Sequence, residues 1–149
     1  MRTVKQIFIF CGLITLLLGT FFATLIKDQP VTFEDPHLEL SVRQVLNYFY
    51  KPIFRSQLLT FSTLDLIQSD ISSLSGLEHF RNLESLNLSH NKIHNIGPLS
   101  ALTHLHTLDV SHNRLGNLAE ANLAALAHLD LHELRLDGNT FASANPESR

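Results

Sequence analysis

The sequence of 149 residues contains one cysteine, no tryptophan and no long run of lysine or arginine. Because Cys11 is alone, it cannot form an internal disulfide and says nothing about the redox compartment. The formal net charge is -3, and a nucleic-acid partner would require a basic face, so nucleic-acid binding is not expected. With 44% hydrophobic and 17% charged residues, the chain has the composition of one globular domain.

Motifs that carry chemistry are also missing from the sequence. It has no glycine-rich phosphate loop, no nucleophile elbow and no cysteine outside its apolar N-terminal segment. Asp65, Asp109 and Glu133 are spaced by a repeat, and carboxylates at such spacing are ordinary surface residues. We therefore predict that the protein is not an enzyme and has no cofactor.

One long apolar run lies near the N-terminus. Arg2 and Lys5 precede Gln6–Ile26, which contains no charged residue, and Lys27 follows it. About 20 apolar residues cross a bilayer as a helix, so residues 1–27 are predicted to be a single-pass membrane anchor. With the basic residues held inside, the rest of the chain would be extracytoplasmic, either periplasmic or at the cell surface. A cleaved signal peptide, and hence a secreted protein, is the alternative, although bulky residues crowd the small ones needed for cleavage.

Residues 28–60 are predicted to form a short polar linker and a helical cap. Asp35 can cap the first turn of a helix, and Pro36 suits the first helical position. Apolar residues then recur at helical spacing and predict one buried face. Its members are Leu38, Val42, Val45, Leu46 and Phe49.

A 22-residue pattern follows, with apolar residues at positions 1, 4, 6, 11, 14 and 17 of each unit and asparagine at position 9. The units are 61–82, 83–104, 105–130 and 131–149. The third unit is lengthened by an alanine-rich insert, for which we predict a short convex helix whose Leu123, Leu126 and Ala127 face the core. The convex sides of the first two units are predicted to be turns or short 3₁₀ helices.

This period is typical of a leucine-rich repeat solenoid. Alternation at positions 4 and 6 predicts a strand with one buried face, and stacked coils bury leucines that one coil alone would expose. Asn91, Asn113 and Asn139 are predicted to form a structural ladder that satisfies backbone groups of each coil and the next. The predicted fold is α/β: a short right-handed horseshoe with a parallel concave sheet, an N-terminal helical cap and a preceding transmembrane helix.

Three segments carry a resemblance to a known family. The F-x-D-P-x-L pattern at 33–38, SGLEHF at 75–80 and IGPLSALTHL at 96–105 resemble bacterial leucine-rich repeat proteins of the internalin type. The resemblance covers about residues 32–118 and implies a horseshoe-shaped binding scaffold without catalytic activity. The best-known members have many more repeats and further domains for attachment to the cell wall. We therefore expect either a short stand-alone protein or part of a longer array.

The outward-facing residues of the concave strands are the predicted binding surface. This face is polar, mildly acidic and poor in the aromatic residues that dominate strong interfaces, so a small or weak protein interface is expected. Its members are Thr63, Asp65, Ile67, Ser85, Asn87, Ser89, Thr107, Asp109, Ser111, Glu133, Arg135 and Asp137.

The nine histidines raise the alternative of a metal-binding protein. A zinc site requires three or four converging ligands, and the repeat supplies pairs without an evident third ligand, so we predict no metal site. The paired residues are His90 with His112, His104 with His106, and His128 with His132.

Together these features predict a membrane-anchored, non-catalytic module that binds an unknown protein on the extracytoplasmic side. The alternative is a secreted surface or virulence-type binding protein. The fourth coil has no successor to cover Leu134, Leu136 and Phe141. Either this coil frays, or a second copy of the chain pairs with it end to end.

Overall fold

The computed structural model describes residues 28–116 and 124–139. The apolar segment Gln6–Ile26, predicted to be a membrane anchor, lies outside this range, as do Leu118, Leu123 and Phe141. Among the described helices, none has the length and apolar character needed to span a membrane.

The first part of the fold is a cap at one end of the solenoid. Its elements are β1 (Pro30–Val31), α1 (Pro36–Leu46), β2 (Ile53–Phe54) and α2 (Arg55–Leu58). Strands β1 and β2 pair antiparallel, and the apolar side chains of Val31 and Phe33 are buried. The segment predicted to be a linker is thus an integral part of the cap, because its apolar residues have a core to join.

Helix α1 begins as predicted. The Asp35 carboxylate accepts hydrogen bonds from the backbone N–H groups of His37 (2.8 Å) and Leu38 (3.4 Å), two donors that have no partner within the helix. The helix ends at Leu46 and is capped by Asn47, which adopts the left-handed conformation.

The buried face of α1 is narrower than predicted. Leu38 and Val42 are buried and Leu46 is partly buried, following steps of four residues along the helix. The prediction is wrong for Val45 and Phe49, which are about half exposed. Val45 lies one residue before Leu46 and is therefore turned about 100° away around the axis, and Phe49 lies beyond the last helical residue.

Four parallel strands form the concave sheet. They are β3 (Thr63–Asp65), β4 (Ser85–Asn87), β5 (Thr107–Asp109) and β6 (Glu133–Arg135), in that spatial order. Leu64, Leu86, Leu108 and Leu134 are register partners, so each unit contributes the same position to the sheet. The predicted sheet and the predicted repeat register are therefore confirmed.

The convex sides follow the predicted pattern in the first two coils. They contain short 3₁₀ helices at Leu77–His79 and Gly97–Ala101. In the third coil residues 124–126 are helical, and Leu126 is buried as predicted. Ala127 is exposed, so its predicted core position is wrong; it follows the helical residues in a turn that leaves the core.

The cap is joined to the first coil by Asp35 and Phe33. The second carboxylate oxygen of Asp35 accepts the N–H of Ser72 (2.6 Å), the N–H of Ser73 (3.0 Å) and the Ser72 hydroxyl (2.7 Å). Burial alone would raise the pKa of Asp35, but the hydrogen bonds from Ser72, Ser73 and His37 hold it well below its usual range. Phe33 packs on Gly76, where a Cβ atom would lie 2.5 Å from the ring.

The fourth coil is less well covered than the others. Leu134 is 37% exposed, whereas its register partners Leu64, Leu86 and Leu108 are at most 3% exposed. Every residue of β6 is exposed.

Candidate binding surface on the concave sheet

The asparagine ladder holds the strands that carry the candidate site. Asn91 is buried, and its side-chain oxygen accepts the N–H groups of Ser69 and Ile71, both at 3.0 Å. Its amide nitrogen donates to the carbonyl oxygens of Leu66 (2.7 Å) and Leu88 (2.9 Å). The predicted structural role is thus visible in the contacts, but the bonds reach the preceding coil and not the next one.

The direction of these bonds follows from where each strand ends. In the parallel ladder the N–H of Ser89 would pair with the Leu66 carbonyl, but it donates instead to the side chain of Asn87 (3.0 Å). The Leu66 carbonyl is therefore left for Asn91 to satisfy. Every buried carbonyl at the end of a strand has to find such a donor.

The same arrangement recurs in the next two coils. Asn113 accepts the N–H of Ile93 (3.0 Å) and donates to the carbonyl of Leu88 (2.9 Å). Asn139 accepts the N–H of Leu115 (3.2 Å) and donates to the carbonyl of Val110 (2.9 Å). Three equivalent clamps therefore join the four coils that carry the strands.

The strand register brings eight of the predicted binding residues into two rows across the sheet. The first row is Thr63, Ser85, Thr107 and Glu133, and the second is Asp65, Asn87, Asp109 and Arg135. Most of them line one shallow depression of about 200 Å³. Its walls are mainly polar.

The third predicted row is not a continuous surface. Ile67 and Asp137 are exposed, but Ser89 and Ser111 are buried, contrary to the prediction that they face outward. Position 7 is where the chain turns inward, and the N–H of Ser111 donates to the Asp109 carboxylate (2.9 Å), as does its hydroxyl. The two serines therefore orient the side chains of Asn87 and Asp109 and do not themselves reach the surface.

The charge on the depression is negative. Arg135 donates to the Glu133 carboxylate from Nε (2.8 Å) and lies 2.7 Å from it through Nη2, so these two charges largely offset each other. Asp65 and Asp109 remain on either side of Asn87. A partner that presents lysine or arginine would be favoured here over an acidic one.

Histidines stack on adjacent coils, as the repeat predicts for His90 and His112. Their rings are 4.3 Å apart and nearly parallel, and the rings of His106 and His132 are stacked at 4.9 Å. The repeat pattern did not indicate Asp130, whose carboxylate lies beside the second pair. One potential ligand atom from each of His106, Asp130 and His132 lies within 4.8 Å of the others. Asp130 belongs to the insert that breaks the 22-residue period, so no repeat equivalence pointed to it.

Two further histidines of the predicted pairs are held by the backbone. A ring nitrogen of His104 lies 3.0 Å from the carbonyl oxygen of Arg81, and one of His128 lies 2.8 Å from that of Ser100. The histidines paired by their closeness in sequence, His104 with His106 and His128 with His132, are thus directed to different neighbours.

A parallel sheet of stacked coils, joined by buried asparagines and closed by a helical cap, defines a leucine-rich repeat solenoid. A family model described as "Leucine Rich repeats (2 copies)" matches residues 81–125. No curated protein sequence matches the chain significantly.

Solved structures of internalins from Listeria monocytogenes are similar to this chain. One internalin (inlF) is 28% identical with a TM-score of 0.69, and the match covers 78% of this chain and 35% of that one. Internalin C2 (inlC2) is 26% identical with a TM-score of 0.62, over 80% of this chain and 63% of that one. The functional domain of InlJ, at 20% identity and a TM-score of 0.53, shares the fold over 76% of this chain and 29% of that one.

The chain therefore has a leucine-rich repeat fold that is similar to that of bacterial internalins. It spans about a third of the length of the first of these internalins.

Proposed function

We propose that the protein is a non-catalytic protein-interaction module that binds its partner on the concave sheet. The observation that carries this proposal is the polar depression formed by two rows of side chains on four strands in register. The asparagine clamps hold these strands in place before a partner arrives, which lowers the entropic cost of binding.

The partner is expected to be a basic surface bound through a small contact. Strands about 4.8 Å apart give a sheet less than about 20 Å wide, which is small beside a standard interface of about 800 Å² per partner. Among the residues of the two rows, Arg135 alone belongs to the types enriched in binding hot spots. Asp65 and Asp109 would contribute mainly to the rate and specificity of association.

We further propose that the module is anchored in a membrane and lies on the extracytoplasmic side. The support is the uncharged run Gln6–Ile26, with Arg2 and Lys5 before it. The alternative is a secreted binding protein, released by cleavage of this run. Mass spectrometry of the mature N-terminus distinguishes them, because residues Met1–Ile26 are retained only in the anchored protein.

Position-specific photocrosslinking in the native cell tests the binding proposal. A photoreactive phenylalanine analogue is placed at Thr107 on the concave sheet or, as a matched control, at Ser100 in the convex 3₁₀ helix. Both positions are partly buried, so the two probes have comparable access. We expect a discrete crosslinked protein from Thr107 that is missing or weak from Ser100.

Equal crosslinking from both positions would contradict the assignment of the concave sheet, as would crosslinks from Ser100 alone. An absence of crosslinks from either position, with the full-length protein present at its normal level, would contradict a protein partner of any kind at these two faces.

A further inference from the structure

The joint between the third and fourth coils brings together three side chains that can bind metal ions. His106 precedes β5, and Asp130 and His132 precede β6, so the stacking of the two coils places them side by side. One ligand atom from each lies within 4.8 Å of the others. Among the described residues, these three are the group of histidine or acidic side chains whose potential ligand atoms lie this close together.

The backbone fixes the positions from which these side chains project. The carbonyl oxygen of His106 accepts the N–H groups of His132 (2.8 Å) and Glu133 (3.1 Å). These two hydrogen bonds hold the ends of adjacent strands at their spacing in the sheet. His106 and His132 therefore project from neighbouring strand ends that the backbone already joins.

The hydrogen bond of His106 leaves its other ring nitrogen available. Nδ1 of His106 lies 3.0 Å from the backbone carbonyl oxygen of Asp130, which can only accept, so Nδ1 carries the proton. Nε2 then has a free lone pair. Metal-binding histidines in proteins are commonly oriented in this way by a carbonyl that accepts from the second nitrogen.

Rotation of the side chains can bring the three ligand atoms, now within 4.8 Å of one another, to the spacing that a zinc ion requires. In a tetrahedral zinc site, ligand atoms are about 3.3 Å apart when each bond is about 2.0 Å. The side chains of His132 and Asp130 are 70% and 85% exposed, so they can turn by the required amount without displacing the core. The parallel ring stack of His106 and His132 has to tilt, because lone pairs in two parallel planes do not converge on one point.

We propose that His106, Asp130 and His132 form a Zn²⁺ site at the joint between the third and fourth coils. Nε2 of His106, one ring nitrogen of His132 and one carboxylate oxygen of Asp130 are three ligands, and a water is the fourth. Three protein ligands that include imidazoles, with one open position, form a set that suits zinc. The bound ion would fasten the poorly covered fourth coil to the third.

Titration calorimetry with ZnCl₂ tests the site. The full-length protein is purified in detergent with a tag that contains no histidine. We expect one Zn²⁺ per chain, and a loss of affinity of more than about tenfold in His132→Gln and in Asp130→Asn. Asp130→Asn keeps the backbone carbonyl that orients His106. The matched control is His112→Gln, which removes a histidine from the other stacked pair and is expected to leave binding unchanged.

Hydrogen exchange gives a second readout that does not depend on heat signals. Saturating Zn²⁺ is expected to slow exchange in residues 131–136 of the unsubstituted protein and not in His132→Gln. The proposal would be overturned by an unsubstituted protein that takes up no Zn²⁺, or by His112→Gln weakening binding as much as His132→Gln.

Discussion

Asn91 is a single side chain that joins two coils of the solenoid. It accepts two backbone N–H groups of the first coil and donates to carbonyls of both coils, all within a buried environment. An apolar side chain of similar size would fill the space but leave these backbone groups without partners. Buried polar groups without partners cost more than the original bonds contributed.

We therefore expect Asn91→Ala to lower the free energy of unfolding by about 1–3 kcal/mol, measured by urea denaturation of the full chain in detergent. Asn95→Ala is the control, because the exposed Asn95 accepts one hydrogen bond, from the N–H of Gly97, at the surface. This substitution should change the free energy of unfolding by less than about 0.5 kcal/mol. A change within about 0.3 kcal/mol for Asn91→Ala would show that the clamp does not stabilise this joint.

Asp35 joins the cap to the first coil, much as Asn91 joins two coils. Its folded-state pKa is lowered, so its contribution to stability is complete above the unfolded-state pKa of about 3.9 and is lost as the pH falls below that value. Asp35→Asn should destabilise the protein by about 2 kcal/mol near neutral pH, because charge-assisted bonds to Ser72 and Ser73 are lost.

Unfolding measured between about pH 6 and pH 3 should show this difference shrinking as Asp35 is protonated in the unfolded chain. Glu34→Gln is the control, because Glu34 is exposed and accepts from the Ser73 hydroxyl only at the surface. A difference between Asp35→Asn and the unsubstituted protein that stays constant with pH would contradict the assigned role of the charge.

At the scale of elements, the features that could be predicted from the sequence are those that repeat. The strands, their register and the ladder recur with a fixed period, so each unit supports the assignment of the others. The features that escaped prediction are local departures from periodicity. Val45 and Ala127 have helical spacing but no core beside them, and Asp130 lies in the insert and meets histidines of two coils only after folding.

The burial of Ser89 and Ser111 escaped prediction for a similar reason. Period-two alternation places position 7 outward as long as the strand continues. The strands end at position 5, where Asn87 and Asp109 accept the N–H groups of these serines. A pattern of polar residues does not show on its own where a strand stops.

Strand β6 is expected to open more readily than the other strands, because Leu134 is 37% exposed and its register partner Leu108 is fully buried. Hydrogen exchange of the full chain in detergent, in metal-free buffer, should be fastest in residues 133–135 and slower in β4 and β5. Strong protection of β6 in a dimer would favour end-to-end pairing of two copies. Equal protection of all strands in a demonstrated monomer would contradict both fraying and pairing.

At the scale of the whole molecule, the described part is a capped solenoid of four coils. The concave sheet of this part has four strands. A surface of this size favours weak binding unless a membrane holds the protein and its partner together. Attachment to the same membrane raises the effective concentration and would compensate for a small interface.

The proposed topology leads to a simple prediction. A reporter that is active only outside the cytoplasm, fused after Arg149, should give activity in the native membrane, because the proposed topology keeps the basic residues Arg2 and Lys5 inside. Replacing Arg2 and Lys5 with glutamine is the matched control and should reduce that activity. Activity confined to a cytoplasmic reporter would reverse the proposed orientation.

If a partner binds the acidic concave sheet, removing the acidic charge of that sheet should weaken binding. Asp65→Asn with Asp109→Asn removes both carboxylates while preserving the fold, because asparagine at the equivalent Asn87 accepts the same type of backbone hydrogen bond. The control pair, Asp70→Asn with Glu34→Gln, removes two acidic charges away from the sheet.

The measurement is the yield of crosslinked partner from the photoreactive probe at Thr107. We expect the concave pair of substitutions to lower this yield by more than about fivefold and the control pair to leave it unchanged. An unchanged yield in the concave pair, or an equal loss in both pairs, would contradict the account.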